Sequence, residues 1–275
     1  MSRNEKYVDC YVAFLDVLGF RQLVEESESD LALLQNLSKI AALAASPQSG
    51  RKVTNSGDCT MEVRSFSDTF VAFTPVEDKN STNPLAQLCF VVRYIHDQML
   101  NLGVCIRGGI SQGNMYWHPS WSMPPETTEE KLRIASRVTL GPGLNAAYDL
   151  ENKQAIYPRV LVAPSLVQKL KKSKVSSNPF ANSGKLYDAL RSDPGDQMMH
   201  LDLLNMKIAR HEGETMTTLP SGFTVEWKWD ASSSHADVLE KVEKLAKAGM
   251  NKDKSRGPVW QKYKWLAAYC MQCKT

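Results

Sequence analysis

An α+β fold built on a split βαβ antiparallel sheet follows from three features of this 275-residue sequence. Some segments are apolar on both alternating faces, others show one helical apolar face, and their order is strand, helix, strand, strand, helix, strand, the ferredoxin-like order. The first strand is Tyr7–Asp16 (YVDCYVAFLD), apolar on both faces as a strand covered on both sides requires. After Gly19, Phe20, Leu23 and Val24 and then Leu33, Leu34, Leu37, Ile40 and Ala41 keep helical spacing, and Ser-Glu-Ser-Asp at 27–30 is an interruption able to start a new helix. Met61–Arg64 and Thr69–Thr74 are short strands around Ser65-Phe66-Ser67-Asp68, a hairpin whose tip carries Asp68. Pro84 suits a first helical turn, and Leu85, Leu88, Cys89, Val92, Ile95 and Met99 mark the buried face of a helix that stops at Gly103. Val104–Ser111 reads as a strand whose Gly108-Gly109 pair leaves room for another backbone or a ligand. The expected result is an antiparallel sheet with helices on one face.

The rest extends this unit. Trp117–Glu130 is a polar, Pro-rich arm, followed by a short strand at Leu132–Leu140, a helix from about Pro142 and a strand at Val160–Ala163. Composition changes near residue 166, which places a first domain at 1–165 and a mixed, partly helical C-terminal extension at 166–275. Its two helices fall near 235–248 and 258–272. The first is capped at Ser234, has Val238, Val242 and Leu245 on one face, and closes at Gly249.

Bulk properties exclude several classes. Thirty-three Lys+Arg against 30 Asp+Glu leave a charge of only +3, too small for a dedicated nucleic-acid or membrane-surface binder. The apolar run Ile40–Ala45 is far shorter than the roughly 20 residues of a bilayer span. The N-terminus lacks a secretory signal pattern, which leads us to expect a cytoplasmic protein. Single cysteines in apolar runs suit reduced thiols. The Cys270-x-x-Cys273 pair has no second ligand pair at zinc spacing, and reads as one helix face.

Asp16, ending a buried strand, and Asp68, at a hairpin tip, are each ordinary turn or capping residues when taken singly. The split βαβ topology makes them neighbours. Two convergent carboxylates suit Mg²⁺ or Mn²⁺, ions that take a few carboxylates and leave positions for phosphate oxygens. Nucleotide chemistry is the expectation.

Phe14-Leu15-Asp16-Val17-Leu18-Gly19-Phe20, Ser67-Asp68, Arg107-Gly108-Gly109-Ile110-Ser111-Gln112-Gly113 and Gly141-Pro142-Gly143-Leu144-Asn145-Ala146-Ala147, in this order, resemble the class III nucleotidyl cyclase catalytic domain over about residues 10–163. The resemblance implies two divalent cations on Asp16 and Asp68, with the Val17 carbonyl as a further ligand. It implies triphosphate contacts from the backbone at Gly19 and Phe20. It also implies a head-to-tail homodimer in which Asn145 of one subunit positions the ribose bound by the other. The implied reaction is in-line attack of the 3′-hydroxyl on the α-phosphorus with loss of diphosphate.

Three departures from the family bear on specificity and rate. Arg64 stands where adenylate cyclases carry a base-reading lysine, and Val138 where they carry an aspartate. Tyr148-Asp149 stands where the family usually has a transition-state arginine, leaving Arg107 and Arg159 as candidate substitutes. With these departures the chain is most similar to the bacterial pyrimidine cyclases of the Pycsar antiphage system, which make cyclic UMP or cyclic CMP for a separate cyclic-nucleotide effector. UTP is the expected substrate and CTP the alternative. Arg64 with an aromatic such as Phe66 would wall the smaller base. A catalytically dead, dimeric cyclase-like binding module is a further alternative, as is a diguanylate-cyclase-like or polymerase-palm enzyme, although neither acidic-loop signature of the last pair is present.

Overall fold

Alternating apolar residues on both faces make the first strand the axis of the molecule. β1 (Lys6–Val17) lies between β4 (Thr69–Pro75) and β5 (Ile106–Trp117), antiparallel to both. Its Tyr11, Ala13, Leu15 and Val17 enter the larger core, while Cys10 and Val12 enter a smaller one on the opposite face. The computed structural model describes residues 6–35, 37–38, 51–52, 60–76, 83–117, 139–172, 186–205, 235–252 and 257–274.

The remaining elements, in chain order, are α1 (Phe20–Ser27), β2 (Arg51–Lys52), β3 (Thr60–Phe66), α2 (Asn83–Asn101), α3 (Pro142–Gln154), β6 (Val160–Val162), α4 (Pro164–Lys172), a 3₁₀ turn Leu186–Ala189, β7 (Leu190–Ser192), β8 (Met199–Leu201), α5 (His235–Lys252) and α6 (Pro258–Gln272). One eight-stranded sheet results, ordered β2-β3-β4-β1-β5-β6-β8-β7. The fold is α+β. Every pairing among β3, β4, β1 and β5 is antiparallel; among the described residues β6 alone runs parallel to a neighbour, β5.

Helix α2 lays Leu85, Leu88, Cys89, Val92, Ile95 and Met99 into the larger core, and Gly103 turns the chain back at φ 76°. Burying each such aliphatic side chain stabilises by about 1.5–3 kcal/mol. The helical stretch after Gly19 is broken, as its composition suggests: Asp30 Oδ1 accepts the Leu33 N–H at 3.1 Å and starts a second stretch whose Leu37 reaches the core. Ile40 and Ala41 lie outside the described residues. So do residues 118–138, and with them most of the Pro-rich arm, Val138 and all of the strand expected at 132–140 except 139–140, which are not strand.

Four expectations need correction. The hairpin turn is only Ser67-Asp68, because Ser65 and Phe66 continue β3 and pair with Phe70 and Thr69; Ser67 takes φ 58°. Helices cover both sheet faces, since the second apolar face of β1 also needs a cover and α3 supplies it. The unit does not close at residue 165: β7 and β8 continue the same sheet, and Leu166, Val167, Leu170, Leu186 and Leu201 share the main core. Helix α5 runs through Gly249 to Lys252, because the absent side chain there admits the Tyr263 ring of α6. The capping residue Ser234 lies outside the described residues.

Helices α5 and α6 form a third cluster with Leu100, Cys105 and Leu204, and Leu18 packs against it. Cys270 is buried there one turn before Cys273, the single helix face expected of the pair. Among the described residues no helix is long and apolar enough to cross a membrane.

Candidate functional site

Sheet register builds the site. Directly opposed residues of antiparallel neighbours share a face, so Phe66, Thr69, Asp16 and Arg107 form one row across β3, β4, β1 and β5. Arg64, Val71, Phe14 and Gly109 form the next row on the same face. Asp68 sits beside the first row in the hairpin turn, where its carbonyl accepts the Val17 N–H at 3.0 Å. The chain thus brings Asp16 and Asp68 together at the end of β1.

Helix α3 roofs this face over β1 and β5, and the glycines of β5 let it come close. A Cβ on Gly109 would lie 2.6 Å from Leu150 Cβ and nearer still to the Ala147 carbonyl; one on Gly113 would lie 2.9 Å from Gly143 Cα. The room left by the glycines is filled by helix backbone. Ser111 Oγ donates to the Gly143 carbonyl at 2.8 Å and fixes the helix at its start.

Gly109 beneath Ala147 places Glu151, one turn later, above Arg107. The Arg107 Nε donates to Asp16 Oδ2 at 3.1 Å, and its Nη2 lies 2.8 Å from Glu151 Oε1. The second contact is a close ion pair without hydrogen-bond geometry. Glu151 is almost sealed, its side chain 4% exposed, whereas Asp16 and Arg107 keep 21% and 23%. Burial raises the Asp16 carboxyl above its ordinary range and the nearby Asp68 charge adds to this, while the Arg107 hydrogen bond pulls the other way. Burial raises Glu151 as well, opposed by Arg107. Lys262 of α6 is half-buried and lies within electrostatic reach of Asp16, Glu151 and Arg107; burial lowers its ammonium and the Arg107 charge lowers it further.

Gly19 precedes α1 at φ 76° and ψ 13°, a left-handed position that suits glycine. The first turn of α1 carries no acidic side chain, and its free N–H groups begin at Phe20, beside the Asp16 end of β1. Asn145 is exposed on α3 and stands apart from this end: six residues before Glu151 is about 9 Å along a helix.

Arg159 is not at the site. Its side chain is fully buried, with Nη1 donating to Asp193 Oδ2 at 2.6 Å and Nη2 pairing with Asp196, and the guanidinium faces the rings of Tyr157 and Trp265. It is a structural cation that ties β6 to the β7–β8 turn. Asp149 pairs outward with Lys153 at 2.9 Å, both exposed.

Glu151 and Lys262 escaped the sequence reading. Glu151 left a trace, a charged residue on the stripe Gly143, Ala147, Leu150, Glu151 that faces the sheet. Lys262 left none, since its place depends on how α6 docks.

The carboxylates fit a divalent cation in chemistry. Asp16 and Asp68 are like charges held together by backbone register, and the raised Asp16 carboxyl reflects burial first, with a smaller contribution from the Asp68 charge. Among the described residues no group of three or more His, Cys, Asp or Glu side chains is placed to hold a metal ion.

No protein-family model matches the chain, and no curated protein does. Among solved structures, the crystal structure of the guanylyl cyclase Cya2 is similar at a TM-score of 0.35 and 8% identity, over 78% of this chain and 98% of that one. A superposition that loose assigns neither a fold family nor a role.

Proposed function

We propose that this chain is a nucleotidyl cyclase that converts a pyrimidine nucleoside triphosphate, UTP in preference to CTP, to its 3′,5′-cyclic monophosphate and diphosphate. The observation that carries the proposal is the Asp16–Asp68 pair at the end of β1, set beside the glycine-initiated N-terminus of α1. Support for a ferredoxin-like split βαβ core comes from the order β3-β4-β1-β5 with every pair antiparallel.

Asp16 and Asp68 would hold two divalent cations, Mn²⁺ or Mg²⁺, with the Val17 carbonyl. When bound, such ions lower the pKa of the attacking hydroxyl and neutralise the phosphates. The amides at Gly19, Phe20 and the first turn of α1 would receive the triphosphate, since a helix N-terminus offers unpaired donors and a favourable dipole. Arg64 shares the sheet face of Asp16 one row away, two strands off at roughly 10 Å, a span suited to a nucleoside lying across β4. Asn145, distant from Asp16 in its own subunit, would serve the site of a second copy, which makes the head-to-tail homodimer the working unit. The product would act as a signal read by a separate effector in antiphage defence.

Incubating the purified protein with Mn²⁺ and each of ATP, GTP, CTP and UTP, with Asp68→Ala as control, tests this by mass spectrometry of the products. A cyclic pyrimidine monophosphate absent from the control is the expected result; a cyclic purine product would overturn the base assignment. A second reading, a dimeric cyclase-like module without activity, is favoured by the Arg107–Asp16 pair, which spends one metal-binding carboxylate on a side chain. No product from any triphosphate would select it.

A further inference from the structure

The proposed reaction needs a protein cation near the phosphates. Residue 149 is an aspartate facing Lys153, Arg159 is sealed between Asp193 and Asp196, and Arg107, though at the site, is already held by Asp16 and Glu151. The C-terminal helix α6 ends this gap. It docks on the end of the sheet where β1 stops and β5 starts, because Leu18 and Cys105 belong to its cluster and are themselves joined by the Leu18 N–H to Cys105 carbonyl bond of 2.9 Å. Three further contacts fix the helix. Trp265 Nε1 donates to Asp193 Oδ2 at 2.6 Å, the Tyr269 hydroxyl donates to Asp202 Oδ1 at 2.5 Å, and the Tyr263 ring fills the place of a side chain at Gly249.

Lys262 lies one turn before Leu266, which is buried in that cluster, and its ammonium interacts electrostatically with Asp16, Glu151 and Arg107. Among the described residues it has no hydrogen bond or ion pair within 4 Å, unlike Lys153, Lys244, Lys247, Lys252 and Lys274, each of which has a carboxylate partner. A half-buried ammonium without a direct counter-ion is costly unless an anion arrives to meet it.

We propose that Lys262 binds the triphosphate of the substrate, so that α6 is a working part of the active site and not an appendage; the substrate class rests on the cyclase reading above. Lys262 acts as a compact charge on a flexible stem, within electrostatic reach of Asp16. A helix that completes the site also couples it to the α5–α6 packing.

The test is calorimetric titration of inorganic triphosphate with Mn²⁺ into the full chain. Lys262→Gln is expected to weaken binding about tenfold or more, as loss of a charge-assisted contact does, while Lys262→Arg stays within about threefold of the parent. Lys264→Gln, on the exposed side of α6 over the Trp260 ring, is expected to bind as the parent. Unchanged melting temperatures show that the variants fold. Parent-like binding by Lys262→Gln, equal weakening by Lys264→Gln, or no binding by the parent would each overturn the proposal. The two claims separate cleanly. Cyclic product formed by Lys262→Gln with parent kcat and KM removes Lys262 and leaves the cyclase, whereas Lys262-dependent triphosphate binding without cyclic product from the parent removes the cyclase and leaves the anion site.

Discussion

Arg107 donates to Asp16 at 3.1 Å across a register in which the two residues are directly opposed on neighbouring strands, so the pair is set by the sheet itself and not by flexible loops. The same guanidinium reaches Glu151 from α3. One cation is therefore shared between two carboxylates whose pKa burial raises, while Asp68 stands close by without a share in it. The pH dependence of this cluster has a definite sign.

Asp16→Asn is expected to raise the melting temperature at pH 7 in metal-free buffer. The folded-state pKa of Asp16 is raised, so the folded protein holds this proton more tightly than the unfolded chain. The corresponding stability is fully present below the ordinary carboxyl value of 3.8 and is lost as pH rises through the folded value; asparagine removes that loss. The gap between variant and parent should close as pH falls below that range. Saturating Mn²⁺ at about 100-fold over its Kd should stabilise the parent by about 2.7 kcal/mol and leave Asp16→Asn unmoved. Scanning calorimetry at two pH values, with and without Mn²⁺, checks both. A variant that melts lower than the parent at pH 7 would mean that the Arg107 bond outweighs burial and repulsion.

Arg159→Met is expected to cost about 3–5 kcal/mol, because it leaves the buried Asp193 without its cation and also removes the partner of the more exposed Asp196. Urea denaturation measures it. A phosphate-binding arginine would behave differently, losing triphosphate affinity with little change in stability. Parent-like stability combined with lost affinity would restore Arg159 to the site.

The four-strand order and the Asp16–Asp68 approach were legible because they follow from periodicity and from strand succession, both local. Ser65 and Phe66 misled: polar and aromatic residues beside Ser67-Asp68 resemble a four-residue turn, yet the register with Phe70 and Thr69 continues β3 to a two-residue turn. Arg159 misled more seriously. A lone arginine after Tyr-Pro carries no mark of its partners, and Asp193 and Asp196 arrive from more than thirty residues away in sequence. The change in composition near residue 166 reflected solvent-facing lysines on α4, not a boundary, while the apolar face of the same helix continued the core.

The cysteines provide a test of packing independent of any ligand. Burial pushes the thiols of Cys10, Cys89 and Cys105 up to about 12, and Cys273 to about 11. The thiolate is the reactive form, so at pH 8 these four should resist iodoacetamide until the chain unfolds. Peptide mapping after labelling in native buffer and in guanidinium distinguishes the states. Rapid native labelling of Cys105 would show that the α6 cluster opens at the end of the sheet.

Gly109→Ala tests how the roof over the site is held. The added Cβ would meet the Ala147 carbonyl and, at 2.6 Å, Leu150 Cβ; the first of these is helix backbone and cannot turn aside. Helix α3 must lift, at a cost of about 1–3 kcal/mol for overpacking. Glu151 would move with it and leave Arg107 bound to Asp16 alone, so loss of the Arg107–Glu151 contact is expected together with the loss of stability. Gly19→Ala makes the comparison informative. A Cβ there has nothing within 4 Å, and its penalty is only the left-handed backbone, about 1–2 kcal/mol. Similar losses of stability in the two variants, with Arg107 and Glu151 still paired by crystallography in Gly109→Ala, would mean that α3 tolerates the methyl and that the glycine is not what sets the height of the roof.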